Sequence, residues 1–324
     1  MQAKNNISQN TFQKYTGEAA LLLMTIIWGG TFVIVKESLH DASPMLFVSL
    51  RFAIASFVLI PVVIKRKDKL NKSIILHGLF LGLLLFLGFS FQTAGLGLTT
   101  ATKSAFITGA LVVMIPGFQI IIEKKPPTVG ALIGTILVFI GILFLSSGGS
   151  SVFTFLNELG SSFGLGDALT LICAVFFAIH VIYIGMFSKK FELWPLLFVQ
   201  LASVAVFSFI AATFFSATGI EPIHLEITHY LIFGVLYNAL LATLFNIALQ
   251  MKYQKIVTAT KAGIIYSFEP IFAAIFAFFV LNEKISNFGL IGSILIFSGL
   301  IVSEVYENLV KKFGGQIAES GDIG

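Results

Sequence analysis

The feature that most constrains this chain is a series of ten apolar runs, most of them near the length of a membrane-spanning helix. Such a helix needs about 20 mostly apolar residues to cross roughly 30 Å of hydrocarbon. The runs are 19–35, 44–64, 74–96, 101–122, 129–147, 168–187, 195–217, 229–249, 259–281 and 288–303. Only 11% of the residues are charged, against about 25% in soluble domains. The sequence therefore predicts an all-α integral membrane protein with ten transmembrane helices.

Basic residues predict the orientation of these helices. With the N-terminus placed in the cytoplasm, fifteen of the 20 Lys and Arg residues fall in cytoplasmic segments and only Lys36 and Lys284 in outer loops. Cytoplasmic loops are enriched in Lys and Arg. We therefore expect a multi-pass protein of the inner (plasma) membrane with both termini in the cytoplasm.

The same distribution argues against a nucleic-acid partner. The formal net charge is +4, but the basic residues lie in short loops and do not form one basic face. The single cysteine, Cys173, excludes an internal disulfide and lies within an apolar run. The lipid bilayer is therefore the partner that composition predicts.

The two halves of the chain resemble each other. Thr-Ala-Thr-Lys at 100–103 recurs at 258–261, an offset of 158. Further matches join 132–134 to 290–292, 44–48 to 195–199, and Gly17-Glu18-Ala19 to Gly166-Asp167-Ala168. The shared proline, glycines and polar residues occur in the same order, which favours a duplicated unit over a chance likeness between apolar helices.

Each unit contains five predicted helices, and this odd number turns the second unit upside down in the membrane. The first unit, with the N-terminal tail, is 1–150, and the second, with a Gly/Ser-rich connection and the C-terminal tail, is 151–324. That connection runs from Gly148 to Gly166. The predicted fold is ten transmembrane helices as two inverted five-helix repeats, a plan typical of secondary transporters with a midplane site.

Several short motifs add a family resemblance. They are Trp28-Gly29 with Phe32, Pro44 with Arg51, Pro116, Glu269-Pro270, Asn282-Glu283-Lys284, and the glycine-rich segments 134–141 and 292–299. Over roughly residues 17–308, the chain resembles the EamA-like branch of the drug/metabolite transporter superfamily. The resemblance implies a cavity surrounded by helices one to four and six to nine, with five and ten at the periphery. It also implies alternating-access transport of small metabolites, often amino acids or related compounds.

The fourth and ninth helices are expected to bend at different depths. Ungapped alignment places Val112 opposite Pro270, and the first unit's own proline, Pro116, lies four residues later. Because proline kinks helices, the two bends should not coincide.

Two charged residues inside the runs are the main candidates for function, since a charge in the bilayer costs about 2.5–3.5 kcal/mol on insertion scales. Arg51 lies about 10 Å deep in the second run and could bind a carboxylate or phosphate, or form a structural bond or snorkel outward. Glu269 lies near the middle of the ninth run. It could bind a substrate amine, carry a coupling proton, or pair with Arg51 or Lys261.

Four further residues are candidates for the transport path. Lys103 and Lys261 are repeat mates, which could form paired gate charges at opposite mouths or snorkel outward. His180 and Tyr183 lie on roughly the same helix face and could line the path or serve packing. Weaker candidates, for which interhelical bonding is the alternative, are Trp28, Gln92, Tyr237, Asn238, Asn246 and Tyr266.

The absence of several nucleotide-binding and catalytic motifs argues against an enzymatic function. The chain has no phosphate-binding Gly-x-x-x-x-Gly-Lys-Ser/Thr loop, no His-Glu-x-x-His and no Gly-x-Ser-x-Gly elbow. We therefore expect neither an enzyme nor a cofactor or metal. The favoured interpretation is a secondary transporter, a monomer or homodimer, that exports a small-molecule substrate with proton coupling or by exchange.

Two alternatives stay open at this stage. An integral membrane enzyme acting on lipid-linked substrates would need clustered Asp or His at a membrane face, and the sequence offers none. A channel could also contain inverted repeats. However, a buried Glu and Arg without counterparts in the other repeat suit a saturable site better.

Overall fold

The computed structural model describes residues 2–146, 153, 163–281 and 287–320. The Asn282-Glu283-Lys284 motif and most of the connection from Gly148 to Gly166 lie outside these residues. The helices are α1 (Gln2–Ser38), α2 (Pro44–Ile64), α3 (Lys72–Leu98), α4 (Ala101–Gly109), α5 (Leu111–Glu123), α6 (Val129–Ser146), α7 (Leu165–Phe187), α8 (Leu193–Thr218), α9 (His229–Leu236), α10 (Asn246–Tyr253), α11 (Ala259–Tyr266), α12 (Glu269–Leu281) and α13 (Asn287–Ser320). A π-helical segment, Tyr237–Phe245, joins α9 to α10.

Eight described segments are long and apolar enough to cross a membrane. They are Tyr15–Ser38, Pro44–Ile64, Lys72–Leu98, Lys103–Glu123, Leu165–Phe187, Leu193–Thr218, His229–Tyr253 and Ala259–Val280. Two shorter apolar helices, Val129–Phe144 and Leu290–Ser303, coincide with the predicted fifth and tenth runs. The predicted helical membrane fold is confirmed, whereas the count of ten spans stays a prediction.

Threonine side chains cap the N-termini of the two helices that carry the candidate lysines. The Thr100 hydroxyl accepts a hydrogen bond from the Lys103 backbone N–H at 3.2 Å, and Thr258 accepts one from Lys261 at 3.4 Å. Such caps satisfy backbone donors that a helix start leaves without partners. The repeated Thr-Ala-Thr-Lys tetrapeptide is therefore a helix start, with its lysine in the first turn.

The predicted fourth and ninth helices are each divided in two. At the first break the Ala110 N–H bonds to the Ile107 carbonyl at 3.1 Å, and at the second the Phe268 N–H bonds to Ile265 at 3.1 Å. These bonds are related by the sequence offset of 158, so the expectation of bends at different depths is wrong. Proline does not decide the first break, since Pro116 lies inside α5.

Glycines bring helices from the two halves of the chain into close contact. A Cβ atom added to Gly95 of α3 would lie 2.7 Å from the Gly166 carbonyl oxygen of α7, and one on Gly166 would lie 2.8 Å from the Gly95 oxygen. Closer to the start of α3, a Cβ on Gly78 would lie 2.7 Å from the Cβ of Val199 in α8. The absence of side chains thus allows α3 to pack directly on α7 and α8.

Helices α6 and α13 pack against each other through a second set of glycines. A Cβ on Gly134 would lie 2.6 Å from the Gly299 carbonyl oxygen, and one on Gly141 would lie 2.7 Å from the Gly292 oxygen. Among the described residues, neither helix contributes to the central cavity discussed below. This pair therefore serves packing.

Gly134→Ala is expected to destabilise the protein by about 1–3 kcal/mol, because its methyl group would overlap backbone atoms that cannot move independently. Thermal unfolding in detergent measures the effect. Gly117→Ala is the matched control, since no atom lies within 4 Å of its added Cβ. Equal melting temperatures for the two variants would contradict the close contact between α6 and α13.

Candidate functional site

A small central cavity lies among eight helices drawn from both halves of the chain. Its lining residues are Trp28, Thr31, Leu85, Phe89, Gln92, Thr108, Leu111, Phe177, His180, Val181, Ile247, Gln250, Tyr266 and Glu269. Its volume is about 50 Å³, whereas pockets for small molecules usually measure roughly 300–1,000 Å³. The described conformation is therefore contracted around the cavity, which would have to expand to hold a metabolite.

Five of the twelve predicted site residues line this cavity. They are Trp28, Gln92, His180, Tyr266 and Glu269. They come from α1, α3, α7, α11 and α12, so the fold brings together side chains that are far apart in sequence. The other seven lie elsewhere, and their surroundings distinguish between the functional and structural interpretations.

Glu269 is the first residue of α12 and follows the break after α11. A helix N-terminus carries partial positive charge, which favours a carboxylate there. Within the described residues, no hydrogen-bond or ion-pair partner contacts the Glu269 carboxylate. The predicted internal pairing with Arg51 or Lys261 is therefore not observed, and the carboxylate lies in the cavity wall.

The other polar residues of the cavity wall are held by hydrogen bonds. The Trp28 indole Nε1 donates to the Ala242 carbonyl at 2.8 Å, and its ring meets the Tyr266 ring edge-on at 5.6 Å between centroids. His180 Nε2 lies 3.2 Å from the Gln200 Oε1. These partners fix the orientation of the rings that face the cavity.

Arg51 lies behind the cavity wall rather than in it. Its side chain is buried, its Nε donates to the Thr243 hydroxyl at 2.5 Å, and its Cζ lies 4.4 Å from the centroid of the Phe89 ring. Among the described residues its Nη2 has no hydrogen-bond partner. Because Phe89 also lines the cavity, this ring separates the guanidinium from the space where Glu269 lies.

Four other candidates make structural contacts outside the cavity. Tyr237 donates to the Ile27 carbonyl at 2.9 Å, and Asn246 donates to the Met24 carbonyl at 3.1 Å, so both tie the π-helical region to α1. Asn238 donates to the Gly234 carbonyl at 2.9 Å, and Tyr183 packs against the Phe80 and Phe187 rings.

The two candidate lysines form ion pairs that join the halves of the chain. Lys103 Nζ lies 2.6 Å from Asp167 Oδ2, and Lys261 Nζ lies 2.7 Å from Glu18 Oε1. Asp167 also accepts a hydrogen bond from the Thr99 hydroxyl at 2.7 Å. The lysines are paired rather than snorkelling. The acidic partners were not predicted from the sequence, although the matched tripeptides at 17–19 and 166–168 contain them.

A larger space, here called the vestibule, lies near the ends of α5, α7 and α10. Its volume is about 490 Å³, and Lys125, Lys189 and Lys190 are exposed in its wall. Gln254 also lines the vestibule, while Gln250, one helical turn earlier, lines the central cavity. Both glutamines lie between the predicted runs 229–249 and 259–281, where polar residues are expected, so their positions in the sequence did not indicate a site.

No grouping of three or more His, Cys, Asp or Glu side chains suited to a metal ion occurs in the described part of the chain.

Comparisons with known proteins agree with this architecture. The model of the EamA-like transporter family matches residues 15–147 and 164–304. An uncharacterized transporter of Archaeoglobus fulgidus is 32% identical over 285 residues, covering 88% of this chain and 84% of the relative. The uncharacterized transporter YoaV of Bacillus subtilis is 26% identical, covering 87% of this chain and 94% of its own. Both relatives are named as transporters rather than enzymes.

A solved crystal structure shares the fold. It superposes with a TM-score of 0.69 at 15% sequence identity and covers 90% of this chain and 98% of its own. Together with the family match over most of the chain, these likenesses show that the chain belongs to the EamA-like transporter family.

Proposed function

We propose that this transporter is a secondary carrier that exports small amino-acid-like metabolites by alternating access, with proton coupling or exchange. The observation that carries the proposal is a contracted cavity between the two halves, whose wall holds a carboxylate, Glu269, with no partner among the described residues. A buried charge needs compensation. A substrate amine or a transported proton would supply it.

Two inverted five-helix repeats are part of the proposal, and three observations support them. The family model matches two separate segments, 15–147 and 164–304. The breaks after α4 and after α11 share the sequence offset of 158. The ion pairs involve matched residues, because Lys103 and Lys261 are repeat mates and so are their partners.

In this scheme the two ion pairs are gates on opposite faces of the membrane. Glu18 lies near the N-terminus at the start of the first span, so its pair with Lys261 would close the cytoplasmic face. Lys103 follows α3, so its pair with Asp167 would close the outer face. Each pair joins one half to the other, and opening a face would require its pair to separate. Each face would therefore be closed by one lysine–carboxylate pair formed by matched residues of the two repeats.

Recognition of a carboxylate would involve Arg51. Its Nη2 has no hydrogen-bond partner among the described residues, and an arginine fork suits a carboxylate well. Turning the Phe89 ring away from the guanidinium would expose it to the cavity. A zwitterionic substrate could then bind Arg51 through its carboxylate and Glu269 through its amine.

Arg51→Met is expected to weaken binding of carboxylate-bearing substrates by about 10- to 100-fold, since a charged hydrogen bond contributes roughly 1.5–3 kcal/mol. The corresponding amides should be affected far less. Competition against a labelled substrate measures both. Thr243→Val is the control, because it removes the Nε partner but keeps the guanidinium. Equal losses for acids and amides would make Arg51 a structural residue.

Counterflow in proteoliposomes tests the proposed function directly. Vesicles preloaded with an unlabelled amino acid should accumulate the labelled one transiently, and the initial rate should saturate. Flux that rises linearly with concentration would favour a channel. Turnover of phospholipid without counterflow would favour a membrane enzyme. Either result would overturn the carrier proposal.

A further inference from the structure

A polar network separates the central cavity from the vestibule. Gln250 Nε2 donates to Gln254 Oε1 at 3.0 Å, and the Tyr266 hydroxyl donates to the same oxygen at 3.2 Å. Gln254 Nε2 donates to the Val181 carbonyl. Val181, Gln250 and Tyr266 all line the cavity, whereas Gln254 lies in the vestibule wall. The Gln254 amide thus forms hydrogen bonds with three residues of the cavity wall.

This barrier consists of buried polar side chains. Gln250, Gln254 and Tyr266 are all at most 4% exposed. A buried amide is tolerated only while it is hydrogen-bonded, so an apolar side chain would be the simpler filler at this position. Bonds that water or a polar solute can replace suit a barrier that must open to polar molecules.

The position of Gln254 also suits movement. It lies directly after α10, in the turn that leads to α11, and hinge motions concentrate at the ends of elements. Helix α11 carries Tyr266 at one end and Lys261 near the other, where Lys261 is paired with Glu18. A displacement of α11 would therefore strain the Tyr266–Gln254 bond and the ion pair together.

Tyr266 belongs both to this barrier and to the wall of the cavity. Its ring meets Trp28 edge-on while its hydroxyl bonds to Gln254. A molecule that enters the cavity and displaces the Tyr266 ring would remove one of the two bonds to the Gln254 oxygen. Occupancy of the cavity and opening towards the vestibule would then be coupled.

We propose that Gln254 is the positioning residue that closes the central cavity towards the lysine-lined vestibule, and that its hydrogen bonds break when this side opens. The proposal rests on the transport function argued above. It assigns to Gln254 control of access, with no direct role in substrate recognition.

Thiol labelling tests this assignment without a substrate. Cys173, the chain's only cysteine, is buried, so Cys173→Ser provides a cysteine-free background. Thr31→Cys then places one thiol in the cavity wall. A membrane-impermeant maleimide is applied to right-side-out and inside-out vesicles. Lys189→Cys, in a separate sample, identifies the vesicles in which the vestibule faces the reagent.

Adding Gln254→Ala is expected to raise the labelling rate of the Thr31→Cys thiol about tenfold from the vestibule side, because three buried hydrogen bonds are lost. The rate from the opposite side should not change. Gln119→Ala is the matched control. Gln119 is a buried glutamine of the vestibule wall that bonds to Thr260 rather than to the cavity wall, so labelling should stay within about twofold of the parent.

Tyr266→Phe is a milder second variant, which keeps the ring but removes the donor to Gln254. It should raise labelling about threefold from the vestibule side alone. An unchanged rate in both folded variants, or a rise from both sides, would overturn the proposal. If counterflow is absent in the parent while the labelling difference persists, the barrier stands and the carrier function is wrong.

Discussion

Glu269→Gln is expected to lower substrate transport by about 10- to 100-fold while the protein remains folded, because the substitution keeps the shape and removes one charge. The carboxylate lies in the cavity wall at the first position of α12. A neutral amide cannot neutralise a substrate amine or carry a coupling proton. Initial uptake into proteoliposomes and its dependence on pH measure the effect, and thermal unfolding in detergent checks the fold.

Glu221→Gln provides the matched control for this prediction. Glu221 lies in the connection between α8 and α9 and accepts a hydrogen bond from the Met45 backbone N–H at 3.0 Å. Burial raises the pKa of the Glu221 carboxyl above its ordinary value. Glu221, like Glu269, is therefore a carboxylate that is partly shielded from water. Its amide can keep the bond to Met45, and transport should be nearly unchanged. Normal uptake with normal pH dependence in Glu269→Gln would remove Glu269 from the mechanism.

Lys103→Met and Lys261→Met are expected to shift the protein in opposite directions. Each removes one ion pair between the halves, so each should favour opening on its own face and slow transport about tenfold or more. In the cysteine-free background, the Thr31→Cys thiol should become more reactive from the outer face with Lys103→Met. With Lys261→Met it should become more reactive from the vestibule face.

Both variants should still fold. Asp167 keeps its bonds to Thr99 and to the Gly164 N–H, and the side chain of Glu18 is 16% exposed and can reach water. Lys252→Met, which removes an exposed lysine packed on the Tyr253 ring, controls for loss of positive charge. A shift towards the same face in both lysine variants would contradict the opposed gates, as would no shift in either.

Some residues of the cavity and its barrier could be predicted from the sequence, and others could not. Glu269 and His180 could be found because a charged or titratable group in an apolar helix needs an explanation. Gln254 could not, since it lies in the connection between two predicted runs, where a polar residue needs no explanation. Arg51 was identified from its charge, but its place behind the Phe89 ring depends on side-chain packing between α2 and α3.

The long apolar runs are enough to establish that the chain is helical and suited to a membrane. Hydrocarbon offers no partners to backbone groups, and only internally bonded helices satisfy those groups in runs of this length. The repeated Thr-Ala-Thr-Lys segments were recognisable as a repeat, and the structure shows that each one begins a helix. Which residues meet depends on how the helices pack in three dimensions. Lipid is as apolar as the protein interior, so hydrophobic pattern does not specify which face of a helix turns inwards. Pairs such as Lys103 with Asp167, and the contacts that set Gln254 between cavity and vestibule, follow from glycine-mediated packing between helices distant in the chain.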